Sequence, residues 1–193
     1  MAEPVFPDPV LLIVAVFGRH PEASAWARQR LEQLFGPVAR VSPAYVFNQT
    51  AYYEPTMGPG LQKQFFVFHN LVPADSLSAI KLRTNALEAE LAQTNHFPEA
   101  RPLNLDPGIL TLGKFLLATT KDQAHRIYLR DGIYAEVTLR FQSGAFEPWP
   151  WTYADYQLPL VRGFLKEARD FYRQRLKESH AEASQAFRDE EKG

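Results

Sequence analysis

The eight residues Val10 to Phe17, VLLIVAVF, carry no polar side chain and are dominated by Val, Ile and Leu. Successive residues of a β-strand point to opposite faces of the sheet, so a strand without alternation must be covered on both. As a helix the run is too short to span a bilayer, and the amino terminus before it lacks the charged region and cleavage site of a signal peptide. A central strand is the expected structure, and the rest of the chain has to supply two covering layers.

The following pattern supplies them in alternation. Glu22 to Phe35 sets Trp26, Ala27, Leu31 and Leu34 at helical spacing, with Pro21 in the first turn and Gly36-Pro37 as a stop. Val38 to Phe47 reads as a second strand, interrupted by Pro43 and therefore at an edge. After the loop Asn48 to Gly60, LQKQFFVFHNL makes a third strand around Phe65 to Phe68. Asp75 to Ala92 is expected to be a helix that buries Leu77, Ile80, Thr84, Leu87 and Leu91, with Lys81, Arg83, Glu88 and Glu90 on the solvent side. Arg101 to Leu105 is the candidate fourth strand.

The order β-α-β-β-α-β is that of the ferredoxin-like split unit, whose first and third strands lie inside the sheet. The expected fold is therefore a single α+β domain over residues 1–178. It has a ferredoxin-like (β-α-β-β-α-β) core extended by an apolar helix, a β-hairpin meander and a C-terminal amphipathic helix. The apolar helix is opened by Asp106-Pro107-Gly108, with Asp106 as its cap, and runs to about Thr119. The last helix spans about Pro159 to Lys177, and residues 179–193 form a polar tail expected to be disordered.

Between these helices, HRIYLRDGIYAEVTLRF places its apolar residues at odd positions and Arg126, Tyr128, Tyr134, Glu136, Thr138 and Arg140 at even ones. A two-residue loop at Asp131-Gly132 would pair odd with even and mix the faces. A three-residue loop, Arg130-Asp131-Gly132, restores the match, setting Leu129 against Ile133, Tyr128 against Tyr134 and Arg126 against Glu136 as an ion pair. Ser143-Gly144 is a second hairpin signal.

A formal charge of −1 supplies no bulk attraction for nucleic acid or anionic lipid, so nucleic-acid and membrane partners are not expected. Without cysteine there is no disulfide, thiolate nucleophile or Cys-ligated metal, and a cytoplasmic location is the default. No G-x-x-x-x-G-K-[ST], G-x-G-x-x-G, H-E-x-x-H or G-x-S-x-G occurs. The third strand has the place of the stacking aromatics of an RNA-binding ferredoxin-like domain, but it lacks that motif's glycines, and core packing is the preferred reading.

Candidate chemistry collects late in the chain. Lys121 and Arg126 can clamp an anion, His125 or Glu136 can move a proton, and Asp106 with Asp122 can hold Mg²⁺ as a cofactor. Tyr128, Tyr134 and the loop residues Tyr52, Tyr53 and Glu54 are candidate ligand contacts, and Asn104 can read a ligand or close a turn. The bland alternatives are that Asp106 caps a helix and that the basic residues complement a helix end. The leading expectation is a protein that binds a small anionic ligand, a nucleotide or phosphorylated metabolite, with or without acting on it. A noncatalytic protein-interaction module is the alternative, and RNA binding the third.

YYEPTMGPGL at Tyr52 to Leu61, IKLRTNALE at Ile80 to Glu88, NLDPGILTLGKFLLATTKDQAHRIYLRDGIYAEVTL at Asn104 to Leu139 and PWTYADY at Pro150 to Tyr156 together resemble a bacterial family, domain of unknown function 4416. The resemblance runs from about Leu11 to about Arg175. It implies a family and no reaction. Some members carry a bare GTP-binding label, whereas this chain has no P-loop and its Thr120-Lys121-Asp122 is one residue short of the guanine-reading T-K-x-D. Thr56 also stands where the family usually has an acidic residue.

Overall fold

The computed structural model describes residues 3–190, and the surroundings of side chains as far as residue 181. These residues form β1 (Val10–Gly18), α1 (Pro21–Phe35), β2 (Val38–Val41), β3 (Tyr45–Val46), α2 (Glu54–Met57), β4 (Gln62–Val72), α3 (Leu77–Gln93), β5 (Leu103–Leu110), β6 (Lys114–Thr119), β7 (Ile127–Arg130), β8 (Ile133–Gln142), β9 (Ala145–Pro148), a 3₁₀ turn (Ala154–Gln157) and α4 (Pro159–Glu190). The strands make one antiparallel sheet in the order β2-β4-β1-β5-β6-β8-β7, with β3 also on β4 and β9 also on β8. The architecture is α+β, and its nine-stranded sheet is larger than a ferredoxin-like core. No helix among the described residues is long and apolar enough to cross a membrane.

The uniform apolarity of β1 has the consequence expected of it. Leu11, Ile13 and Ala15 pack with Phe65 and Val67 of β4 beneath Val161, Leu165 and Ala168 of α4. Leu12, Val14 and Val16 pack on the other face with Phe66 and Phe68, against Ala27 and Leu31 of α1 and Leu87 and Leu91 of α3. Burying a side chain of this size contributes about 1.5–3 kcal/mol, so the doubly covered strand anchors both layers. The expected burial stripe of α3 is correct, but Lys81, expected in solvent, is buried.

The segment expected to be an apolar helix is instead the hairpin β5–β6, closed at Thr111, whose N–H donates to the Lys114 carbonyl at 2.9 Å. Asp106 therefore caps nothing and stands in mid-strand opposite Ala15. A helix would carry Gly108 and Gly113 in its interior at about 1 kcal/mol each relative to Ala, whereas the strand uses Gly108. A Cβ there would lie 2.5 Å from the Leu116 carbonyl oxygen. Pairing between β5 and β6 covers only Gly108–Leu110 against Phe115–Leu117. Pro107, with no N–H to give, stands where the ladder stops, and past it the strands separate and the sheet opens.

In the β7–β8 hairpin Tyr128 pairs with Tyr134 as expected, but the turn is shorter than expected. Arg130 pairs with Ile133, so Asp131 and Gly132 alone reverse the chain, both at positive φ (55° and 74°), and the extra residue is Leu129, bulged within the strand. Ile127 and Leu129, assigned to the core by parity, are exposed because β7 is the last strand of the sheet. A second bulge leaves Thr138 unmatched between Val137 and Leu139 opposite β6. It reverses the parity of β8, so Glu136 shares the α4-side face with Leu117 and Leu139.

Candidate functional site

Where β5 and β6 part, a cavity of about 470 Å³ opens on the α4 side of the sheet. The strands contribute Asn104, Asp106, Leu117 and Thr119, and β8 contributes Glu136. The 3₁₀ turn and the residue before it bring Tyr153, Asp155 and Tyr156, and the loop before α2 brings Tyr52 and Tyr53. Lys81 reaches the cavity from α3, on the opposite face, through the opening itself. Its ammonium donates to the Leu105 carbonyl at 2.9 Å and to Asp106 Oδ1 at 3.1 Å.

Four cations line this space: Lys63, Lys81, Arg101 and Lys121. Three of them are matched to carboxylates. Lys63 meets Asp155 at 2.6 Å, Lys81 meets Asp106, and Arg101 meets Glu88 at 2.7 Å. Lys63 is also ringed by Phe17, Phe47, Phe65 and Tyr156, with its ammonium 4.5–5.7 Å from their centroids. Lys121, at the exposed rim, has only a neutral partner in the Tyr52 hydroxyl, at 3.2 Å, and lies 4.4 Å over that ring. Among the described residues no carboxylate pairs with it.

Burial works to raise the Asp106 pKa, but Lys81 and then Lys63 outweigh it and hold the carboxyl below its usual range. Burial pushes the phenols of Tyr53, Tyr153 and Tyr156 above their ordinary value, helped by nearby carboxylates, so all three stay protonated donors. Glu88 is also raised, because its burial exceeds the pull of Arg101 and Lys81. At the base of the cavity the Tyr156 hydroxyl and Asn104 Nδ2 complete no hydrogen bond.

The residues expected to bind divide accordingly. Lys121, Tyr52, Tyr53, Asn104, Asp106 and Glu136 line the cavity. Arg126 does not, because its side chain, 1 % exposed, is consumed in holding the wall. Its Nε donates to Glu136 at 2.8 Å, Nη1 to the Lys121 carbonyl at 2.9 Å and Nη2 to the Tyr153 hydroxyl at 2.7 Å. His125 lies 3.3 Å from Glu136 and stacks on Trp151, outside the lining. Tyr128 and Tyr134 contact each other edge to face at 5.3 Å. Glu54 is exposed at the start of α2, and Asp122 is exposed beyond β6, so neither joins Asp106 in the lining. Among the described residues no three His, Asp or Glu lie together in a metal-binding group.

Sequence reasoning missed Lys63, Lys81, Arg101 and Asp155. A signal for Lys63 was present, since it shares parity with Phe65 and Val67 and so had to enter their buried face. Lys81 and Glu88 each follow a residue of the buried stripe, Ile80 and Leu87, and so border it. For Asp155, brought in by the loop before α4, no local signal exists.

No curated protein and no solved structure matches the chain. The family model described as domain of unknown function (DUF4416) matches residues 8–172, and the chain belongs to that family.

Proposed function

We propose that this protein binds a small anionic ligand, a nucleotide or phosphorylated metabolite, in the cavity between β5 and β6. The observation that carries the reading is Lys121, a cavity-lining ammonium held by a phenol rather than by a carboxylate. The other lining cations are neutralised in place, so Lys121 leaves a local positive excess at the rim where a phosphoryl group can enter. Thr119, Thr120 and Gln123 beside it offer further polar groups, and Tyr53, Phe17 and Phe47 give apolar wall for a carbon skeleton. We read β2-β4-β1-β5 with α1 and α3 as a ferredoxin-like core that the remaining strands and α4 extend, and a cytoplasmic location accords with a chain that has no cysteine.

A thermal-shift screen against nucleotides and sugar phosphates tests the reading, with Lys121→Ala as control. The variant should fold like wild type, since Lys121 is exposed, yet bind any hit about tenfold or more weakly, the worth of one charge-assisted hydrogen bond. Equal affinity for the variant would remove the basis for the site.

A second reading, a noncatalytic interaction module, is favoured by the edge strand β7, where Ile127 is 71 % and Tyr128 58 % exposed. Binding of partners without any small-molecule response, abolished by Ile127→Lys, would support it instead.

A further inference from the structure

The cavity is chemically two-ended, and its inner end contains one carboxylate that a ligand can reach. Glu136 and Asp155 are closed off, with side chains 1 % and 5 % exposed, whereas Asp106 retains 28 %. The difference follows from the fold. Asp106 stands on the part of β5 that β6 has left, so no neighbouring strand covers it on that side. One of its oxygens accepts from Lys81, the Asn104 side chain beside it also favours the charged form, and the remaining exposure leaves room for a further donor. Around it the pairs Lys63–Asp155, Lys81–Asp106 and Arg101–Glu88 balance, so a second anionic group placed there would meet an ionised carboxylate without surplus positive charge. A hydroxyl hydrogen is what this acceptor suits, and the adjoining walls, Phe17, Phe47, Tyr53 and Leu117, suit the carbon frame that bears it.

Resting on the anion-site reading above, we propose that Asp106 is the specificity-determining residue for a hydroxyl-bearing phosphoester. The phosphoryl group lies at Lys121 on the rim, and a ligand hydroxyl donates to Asp106 inside. The site would then sort ligands by their uncharged end after admitting them by their charged one. Asp106 is a binding group here, and no bond is made or broken.

The test is calorimetric titration of the full chain with two probes of equal carbon number, ribose 5-phosphate and n-pentyl phosphate, the second having no hydroxyl. Wild type should prefer the ribose ester by about tenfold, the increment of a hydrogen bond to a charged group. In Asp106→Asn the preference should fall to about threefold or less, while Lys121→Ala should weaken both probes alike. The double variant Lys81→Met/Asp106→Leu, which removes the ion pair together, should lose the preference as fully and guards against misfolding of the single one. Equal affinity of wild type for the two probes, or equal weakening of both by Asp106→Asn, overturns the specificity role while leaving the Lys121 site standing. No binding of either probe overturns both.

Discussion

Arg126→Ala is expected to lower the free energy of unfolding by about 3–5 kcal/mol, the cost of leaving a buried charge without its partner. The stranded group is Glu136, 1 % exposed, whose remaining partners are His125 at 3.3 Å and the Thr138 hydroxyl at 3.2 Å. The same substitution frees the Lys121 carbonyl and the Tyr153 hydroxyl, so the cavity should lose its shape along one wall as well. Urea denaturation measures the loss. Arg126→Met combined with Glu136→Leu should recover most of it, because replacing both members with apolar groups removes the desolvation cost along with the attraction. A loss below about 1 kcal/mol for the single variant would mean that water screens the pair as at a surface.

Asp155→Ala should be comparably costly, about 3–5 kcal/mol by the same reasoning. Lys63 and Asp155 meet at 2.6 Å with both side chains buried, and removing the carboxylate leaves an ammonium among four aromatic rings. The rings soften the loss, since a cation over an aromatic face is stabilised by about 0.5–2 kcal/mol, but they accept no ordinary hydrogen bond. Asp155→Ala should therefore be milder than deletion of a buried partner with no rings nearby, and Lys63→Met/Asp155→Leu should lie close to wild type. Chemical denaturation of the three variants measures these differences. Additive losses in the double variant would show that the two residues do not act as a pair.

These two pairs also show what the sequence could reveal. Arg126 and Glu136 were visible as an ion pair from the parity of one hairpin, because both lie within ten residues of a tight turn and local rules govern such contacts. Their role was less visible. A guanidinium in a cluster of Lys, Asp and His looks like a ligand clamp until each of its three nitrogens is seen to donate to the protein itself. Lys63 and Asp155 are 92 residues apart, and only the docking of α4 and its preceding turn against β4 brings them together.

The fold divides in the same way. β1, β4, α1 and α3 were legible because each has a period or an apolar density that survives in isolation. The segment Asp106 to Thr119 was not, because Asp-Pro followed by an apolar run is as good a helix start as it is a strand. What decides between them is an empty edge of β1, more than ninety residues earlier in the chain. That misreading also hid the site. A helix cap has no reason to face a cavity, whereas an aspartate on a strand that has lost its neighbour does.

A crystal structure of the protein soaked with ribose 5-phosphate would show directly whether the cavity takes a phosphoester at Lys121. Density is expected in the cavity between β5 and β6, with a phosphoryl oxygen about 2.7–2.9 Å from Lys121 Nζ in place of the Tyr52 hydroxyl. A cavity left unoccupied at saturating concentration, or the ester bound elsewhere with the Lys121–Tyr52 contact intact, would contradict it.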